Sequence, residues 1–176
     1  MPNPIPDRVQ RAVEVLDIDP AANVLEIGCG PGVAVSLVCE QLTNGRCTAL
    51  DRSAVAIDRA RRRNAANVAA GKAILHQCEL KDFDSGGERF DVIFAINVNV
   101  FWAGAATAEI TAVQSLLTAN GVFFLFYERP RGGGELDPLA AMISHRLTDA
   151  GFVVDVTGDE LLEIQARDRG VGRCVR

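Results

Sequence analysis

The residues with the clearest chemical signature form a short segment in which an acid is followed by three glycines at alternate positions. Glu26, Gly28, Gly30 and Gly32 stand in the sequence Val-Leu-Glu-Ile-Gly-Cys-Gly-Pro-Gly, which begins at residue 24. Glycines in such a loop let the backbone turn sharply and approach a ligand, because no Cβ atom stands in the way. The loop follows an apolar run and precedes a helix-like stretch, which is the context of a nucleotide-binding glycine loop.

The spacing of the glycines excludes two common nucleotide-binding loops. A dinucleotide fingerprint has a glycine at its sixth position, where this chain has Val33 or, counted from Gly30, Val35. A P-loop requires Gly-Lys-Ser/Thr, and this segment contains no lysine. The pattern therefore argues against a nicotinamide oxidoreductase and against a P-loop protein.

The remaining pattern, E-x-G-x-G-x-G, resembles motif I of the class I, Rossmann-like S-adenosylmethionine-dependent methyltransferases. Two later segments resemble further motifs of this family in the same order: Asp51 with its neighbours at 48–53, and Cys78-Glu79, where the family usually has Gly-Asp. The resemblance covers nearly the whole chain, from residue 23 to residue 166.

The resemblance implies that S-adenosylmethionine is the cofactor and that Asp51 accepts hydrogen bonds from both ribose hydroxyls. It also implies that Glu79 and the backbone N–H after it contact the adenine edge, and that Asn97 contacts the methionyl end. The cofactor-binding residues implied in this way are Glu26, Gly28, Cys29, Gly30, Gly32, Asp51, Arg52, Glu79, Leu80 and Asn97. Glu26 or Asp51 alone is also compatible with a helix cap or a solvated loop acid, but their joint placement favours the cofactor.

The methyl acceptor is expected just past the fourth predicted strand. Residues 97–102 lack the Asp/Asn-Pro-Pro-Tyr/Phe sequence of many nitrogen-methylating enzymes, the Pro-Cys nucleophile of cytosine C5 enzymes and the acids of metal-dependent catechol-type enzymes. We predict that Asn97, Phe101, Trp102 and Tyr127 surround the transferred methyl group and bind the acceptor. The alternative, that the aromatic side chains belong to the core, stays open.

No catalytic base or metal site is assigned from the sequence. Tyr127 and Glu128 are candidates to orient or deprotonate an acceptor, whereas His76 and His145 are predicted to be structural. The five cysteines are scattered, with no C-x-x-C pair and no histidine at zinc-ligand spacing, so we expect reduced thiols and no metal.

Apolar runs alternate with helix-like stretches along the chain, which is typical of a parallel sheet covered by helices. Strands are predicted at 23–27, 47–50, 73–78, 90–96, 122–127, 152–157 and 161–166, and helices at 6–16, 32–42, 54–67, 105–118 and 138–150. The short turn after residue 157 makes the last two strands an antiparallel pair. We therefore predict a three-layer αβα, Rossmann-like, seven-stranded and mostly parallel sheet with an antiparallel C-terminal edge strand.

Length and composition favour one domain over residues 1–176, of which 48% are hydrophobic. No apolar stretch approaches the roughly 20 residues of a membrane span, and the beginning of the chain lacks the features of a targeting peptide, so a cytoplasmic location is expected. The net charge of −5 gives no general attraction to nucleic acid, and we expect a small-molecule acceptor.

The sequence leaves open two interpretations of the function and two of the role of one flexible segment. The leading interpretation is a methyltransferase that transfers its methyl group by in-line displacement; the alternative is a noncatalytic domain of the same fold that binds the cofactor or a protein. The glycine-rich residues 129–134 are compatible with a mobile lid and equally with a plain connector.

Overall fold

The computed structural model describes residues 5–128, 137–158 and 161–169. The helices in these ranges are α1 (Asp7–Val15), α2 (Val33–Gln41), α3 (Ala54–Arg63), α4 (Ala65–Ala69), α5 (Thr107–Leu116) and α6 (Asp137–Asp149). The strands are β1 (Asn23–Ile27), β2 (Arg46–Asp51), β3 (Ala73–Gln77), β4 (Phe90–Ile96), β5 (Leu117–Glu128), β6 (Phe152–Thr157) and β7 (Leu161–Asp168). No helix in the described ranges is long and apolar enough to cross a membrane.

The strands form one seven-stranded sheet in the order β3-β2-β1-β4-β5-β7-β6. Strands β1 to β5 pair in parallel, and β7 runs antiparallel to both β5 and β6. The predicted sheet is confirmed, with the detail that antiparallel β7 lies one place inside the edge, which β6 occupies. The chain reverses its direction of winding between β1 and β4, and the carboxyl ends of these strands flank the switch point where open α/β sheets bind ligands.

Helices cover both faces of this sheet. Val24, Phe94 and Phe126 pack in one cluster with buried residues of α1, α2 and α3, while Ile93 and Leu125 pack in the other with those of α5 and α6. Apolar side chains on both faces explain why the inner strands are nearly continuous hydrophobic runs. The predicted three-layer architecture is confirmed.

Three strands, β1, β4 and β6, have the predicted bounds, and the largest differences are in two other elements. The helix predicted at 54–67 is divided at Asn64, which ends α3 with φ −104° and ψ 24°. Strand β5 starts five residues before its predicted beginning, because α5 ends at Leu116 and Leu117 pairs with Phe90. The segment 129–134, predicted as a lid or a connector, lies outside the described residues.

Candidate functional site

The glycine loop joins β1 to α2 and is fixed against the end of β2. The N–H groups of Gly28 and Cys29 both donate to Leu50 O, at 2.8 and 2.9 Å. Gly28 is required by a close approach, because a Cβ there would lie 2.6 Å from Val98 Cγ2, and its φ of 72° disfavours other residues. At Gly30 a Cβ would meet no heavy atom within 4 Å, so the middle of the loop faces open space.

Asp51 ends β2 and closes the other side of the loop. Its Oδ2 accepts a hydrogen bond from Gly30 N at 2.9 Å, and its Oδ1 accepts one from Ser53 N at 2.8 Å. A carboxylate retains further acceptor positions after two such bonds. The parallel register of β1 and β2 therefore brings the acid and the glycine loop, 21 residues apart, into direct contact.

Glu26 lies on β1 and is 3% exposed. Burial raises the pKa of its carboxyl group well above the usual value, and the nearby charge of Asp51 raises it further. The N–H of Val35, in the first turn of α2, donates to the carboxylate and opposes that shift. The Oε2 atom of Glu26 is buried with no hydrogen-bond partner among the described residues.

A cleft of about 560 Å³ opens at the carboxyl ends of β1, β2, β3 and β4, within the size range of small-molecule sites. It is lined by Ile27, Gly28, Leu50, Asp51, Arg52, Cys78, Glu79, Leu80, Asn97, Val98, Asn99, Val100, Ala103 and Glu109. Six residues predicted to bind the cofactor are therefore in its wall: Gly28, Asp51, Arg52, Glu79, Leu80 and Asn97. The other four, Glu26, Cys29, Gly30 and Gly32, belong to the loop and its supports; the Cys29 side chain is buried.

Eight lining residues were not predicted as site residues, and Cys78 and Glu109 are the two of them with titratable side chains. Glu109 lies in the first turn of α5. This turn starts on the side of the sheet where the cleft opens, so an acid in the first turn of the helix after β4 is the signal that could have identified it. Near it, Lys81 Nζ lies 3.0 Å from Glu79 Oε2. The hydrogen bond and charge of Glu79 raise the pKa of Lys81, as do the charges of Asp82 and Glu109.

Asn97 is the predicted acceptor residue that lines the cleft. It has φ 54°, in the left-handed region that asparagine tolerates better than most residues. Its N–H donates to Phe126 O at 2.8 Å, and its Oδ1 accepts from Glu128 N at 2.8 Å. These bonds attach the segment after β4 to the end of β5.

The three predicted aromatic acceptor residues are not among the residues that line the cleft. Phe101 is 1% exposed and packs against Phe123, with ring centroids 5.1 Å apart, because the turn after β4 directs it into the core. Trp102, 39% exposed, follows on the surface. Tyr127 is buried and donates from its hydroxyl to Val98 O at 3.0 Å.

The two candidate bases, Tyr127 and Glu128, and the two histidines predicted to be structural all make other contacts. Burial raises the pKa of Tyr127, and Glu128 forms an ion pair with Arg8 at 3.2 Å. His76 packs edge-on against Phe83, and His145 lies 3.4 Å from Asp149 on α6. None of these four side chains lines the cleft.

Comparison with known sequences points to one family. Residues 24–121 match a family described as methyltransferase domain. A trans-aconitate 2-methyltransferase of Enterobacter sp. (strain 638) is 28% identical over 119 residues, which are 66% of this chain and 44% of that protein. The chain therefore spans less than half the length of this curated relative.

Solved structures of other proteins share the fold of this chain. A SAM dependent methyltransferase from Aquifex aeolicus superimposes with a TM-score of 0.76 at 13% identity, over 92% of this chain and 89% of that one. A magnesium protoporphyrin IX methyltransferase from Synechocystis PCC 6803, solved with bound SAM, gives 0.69 at 20% identity, over 91% and 77% of the two chains. At these identities the likeness shows the fold.

Proposed function

Because this chain belongs to the methyltransferase domain family, we propose that it transfers a methyl group from S-adenosylmethionine to a small-molecule acceptor. The observation that carries the proposal is the contact between Asp51 and the glycine loop, where Gly30 N donates to Asp51 Oδ2 at 2.9 Å. This contact places a carboxylate beside an open glycine backbone in the wall of the cleft. A ribose with two vicinal hydroxyls fits such an acceptor.

The residues at the cleft fit an adenosyl cofactor in charge as well as in shape. Asp51, Glu79 and Glu109 contribute three carboxylates to the lining, against the guanidinium of Arg52, and this balance favours a ligand with positive charge. The buried Glu26 Oε2 has no partner among the described residues, and a positively charged ligand at the loop would stabilise the charged form of this carboxyl group.

In this site Asp51 would hold the ribose, Glu79 and the N–H of Leu80 the adenine edge, and Gly28 and Asn97 the methionyl end. When bound, the cofactor would supply an electrophilic methyl group on a sulfonium. An acceptor atom in line would bond to the methyl carbon as the carbon–sulfur bond breaks, and S-adenosylhomocysteine would be the leaving group. The chain then mainly has to align the acceptor and exclude water. We assign no general base, because the candidates Tyr127 and Glu128 are engaged in other contacts.

A small molecule is the acceptor class that the observations favour. The relative from Enterobacter is named for methyl transfer to trans-aconitate, which is a small molecule, and the net charge of −5 does not favour nucleic acid. The location that we propose is the cytoplasm, supported by the free thiols of Cys29, Cys39, Cys47 and Cys78. One domain over residues 1–176 remains our proposal for the chain's organisation.

Calorimetric titration tests the cofactor assignment. We expect S-adenosylmethionine and S-adenosylhomocysteine to bind, and NAD and NADP to show no binding, because position 33 is valine rather than the pyrophosphate glycine. Asp51→Ala should weaken S-adenosylhomocysteine binding by roughly 2 kcal/mol, about thirtyfold, because a charged hydrogen-bond acceptor is removed.

The matched control is Asp84→Ala, which removes a loop carboxylate that accepts a comparable bond, from Gly86 N at 2.8 Å, but does not line the cleft. This control should retain wild-type affinity. Undetectable binding of both adenosyl ligands to folded protein at millimolar concentration contradicts the proposal. If they bind, formation of S-adenosylhomocysteine with a library of small acceptors distinguishes an enzyme from a noncatalytic binding domain.

A further inference from the structure

The segment between β4 and α5 forms one wall of the cleft. Val98, Asn99, Val100 and Ala103 all line it, and Phe101 inserts between them into the core. We call residues 98–103 the β4–α5 wall. A 3₁₀ turn over Asn99–Phe101 is its only regular hydrogen-bonded structure, so its position depends on contacts from other elements.

Two side chains from distant elements hold the backbone of this wall. The Tyr127 hydroxyl, on β5, donates to Val98 O at 3.0 Å, and Arg146 Nη1, on α6, donates to Phe101 O at 3.1 Å. No ion pair joins Arg146 to a carboxylate in the part of the chain that is described. Its charged group is therefore directed at a backbone carbonyl, a bond stronger than a neutral one.

The wall is in turn packed against the glycine loop. A Cβ on Gly28 would lie 2.6 Å from Val98 Cγ2, so the Val98 side chain occupies the space that the missing Gly28 side chain leaves. Val98 is also the residue whose carbonyl Tyr127 holds. A shift of the wall would change both the width of the cleft and the support of its glycine loop.

We propose that Arg146 and Tyr127 are positioning residues that fix the β4–α5 wall for cofactor binding. The inference rests on the proposed function, since it concerns the cleft in which we propose that the cofactor binds. Neither touches the cleft itself, and both act through backbone carbonyls of the wall. A purely structural role would lower stability without a specific loss of affinity.

The test compares Arg146→Met and Tyr127→Phe with Arg89→Met. Methionine keeps much of the arginine stem but removes the guanidinium, and phenylalanine removes only the hydroxyl. Arg89 is a matched control, because its Nη1 donates to two backbone carbonyls, Ser115 O at 2.6 Å and Leu117 O at 3.1 Å. Arg89 lies at the amino end of β4, whereas the cleft lies at the carboxyl end of that strand.

Three quantities are measured for each variant: affinity for S-adenosylhomocysteine, the thermal unfolding midpoint, and acrylamide quenching of Trp102, which is the only tryptophan of the chain and lies in the wall. We expect Arg146→Met to weaken affinity about tenfold and Tyr127→Phe about fivefold, each with increased quenching of Trp102. Arg89→Met should lower the midpoint while affinity and quenching stay close to those of the wild type.

The outcomes separate this inference from the proposed function. Wild-type protein that does not bind S-adenosylhomocysteine contradicts the proposed function. Wild-type protein that binds, together with Arg146→Met and Tyr127→Phe variants that match Arg89→Met in affinity and quenching, overturns the inference and leaves the function intact. Should Arg146→Met fail to fold, Tyr127→Phe decides the question by the same two readouts.

Discussion

Glu26 shows how one side chain serves both the fold and the candidate site. Its carboxyl group accepts the N–H of Val35 at the start of α2, where the N-cap residue Gly32 offers no side-chain cap. Burial and the charge of Asp51 nevertheless raise its pKa. The native state therefore binds the proton of Glu26 more tightly than the unfolded chain does.

This difference in proton affinity predicts how stability depends on pH. Unfolded glutamate has a pKa of about 4.3, so as pH rises above that value the unfolded chain loses the proton first and the native state loses stability until its own pKa is passed. We expect Glu26→Gln to reduce this fall in the free energy of unfolding and to be more stable than wild type at pH 8, provided that no ligand is bound.

Denaturant unfolding from pH 4 to pH 8 provides the measurement. Glu40→Gln, an exposed substitution on α2, is the control and should follow the wild-type curve. If the stability of Glu26→Gln falls with pH as steeply as that of the wild type, the pKa of Glu26 is not raised in the native state.

The site residues differ in how far the sequence could predict them. Glu26, the three glycines and Asp51 were recognised because their spacing follows strand ends, and the structure places Gly28 and Asp51 in the cleft wall. The direction of Phe101 could not be predicted, since a turn after β4 can present an aromatic residue to either side. Neither Tyr127 nor Arg146 carried a signal for holding a backbone carbonyl that lies far away in sequence.

At the level of elements, the junction between α3 and α4 supports the glycine loop. Asn64, 1% exposed, donates from Nδ2 to Gly32 O at 2.9 Å and to Ala60 O at 3.1 Å, and its Oδ1 accepts from Ser36 Oγ at 2.8 Å. The sequence predicted a continuous helix over 54–67, a range that contains no glycine or proline. The helix is divided at a residue with a buried, hydrogen-bonded amide side chain rather than at a glycine or proline.

The junction predicts a large stability effect for a single amide. Asn64→Ala should lower the free energy of unfolding by about 2 kcal/mol, since it removes three side-chain hydrogen bonds from a buried site. Asn67→Ala is the matched control: its side chain makes one long contact, 3.4 Å to Asn64 Oδ1, and its loss should cost less than about 0.5 kcal/mol. Equal losses in the two variants, measured by urea unfolding, would show that the Asn64 bonds contribute little.

The strands were easier to predict than their order. Bounds of β1, β4 and β6 follow from apolar runs that end in polar or glycine residues, and the alternation with helices indicates a parallel sheet. The insertion of β7 between β5 and β6 depends on pairs that are 33 to 45 residues apart, from Glu128 with Leu161 to Val122 with Arg167. A hairpin pattern specifies that β6 and β7 pair, but not which of them meets β5.

At the scale of the whole molecule, the fold brings together the carboxyl ends of strands that are distant in sequence. The glycine loop after β1, Asp51 on β2, Glu79 after β3 and Asn97 after β4 come together there. Asp51, Glu79 and Asn97 have polar side chains that do not pack in the hydrophobic core. Their placement in the cleft wall therefore indicates function and not only stability. We therefore propose that the cofactor binds where these strand ends meet.

A crystal structure with S-adenosylhomocysteine tests that claim most directly. We predict ribose hydroxyls within hydrogen-bond distance of Asp51, the adenine beside Leu80 and the sulfur on the side of Asn97. A ligand bound outside this cleft, or a ribose that makes no contact with Asp51, would contradict the account.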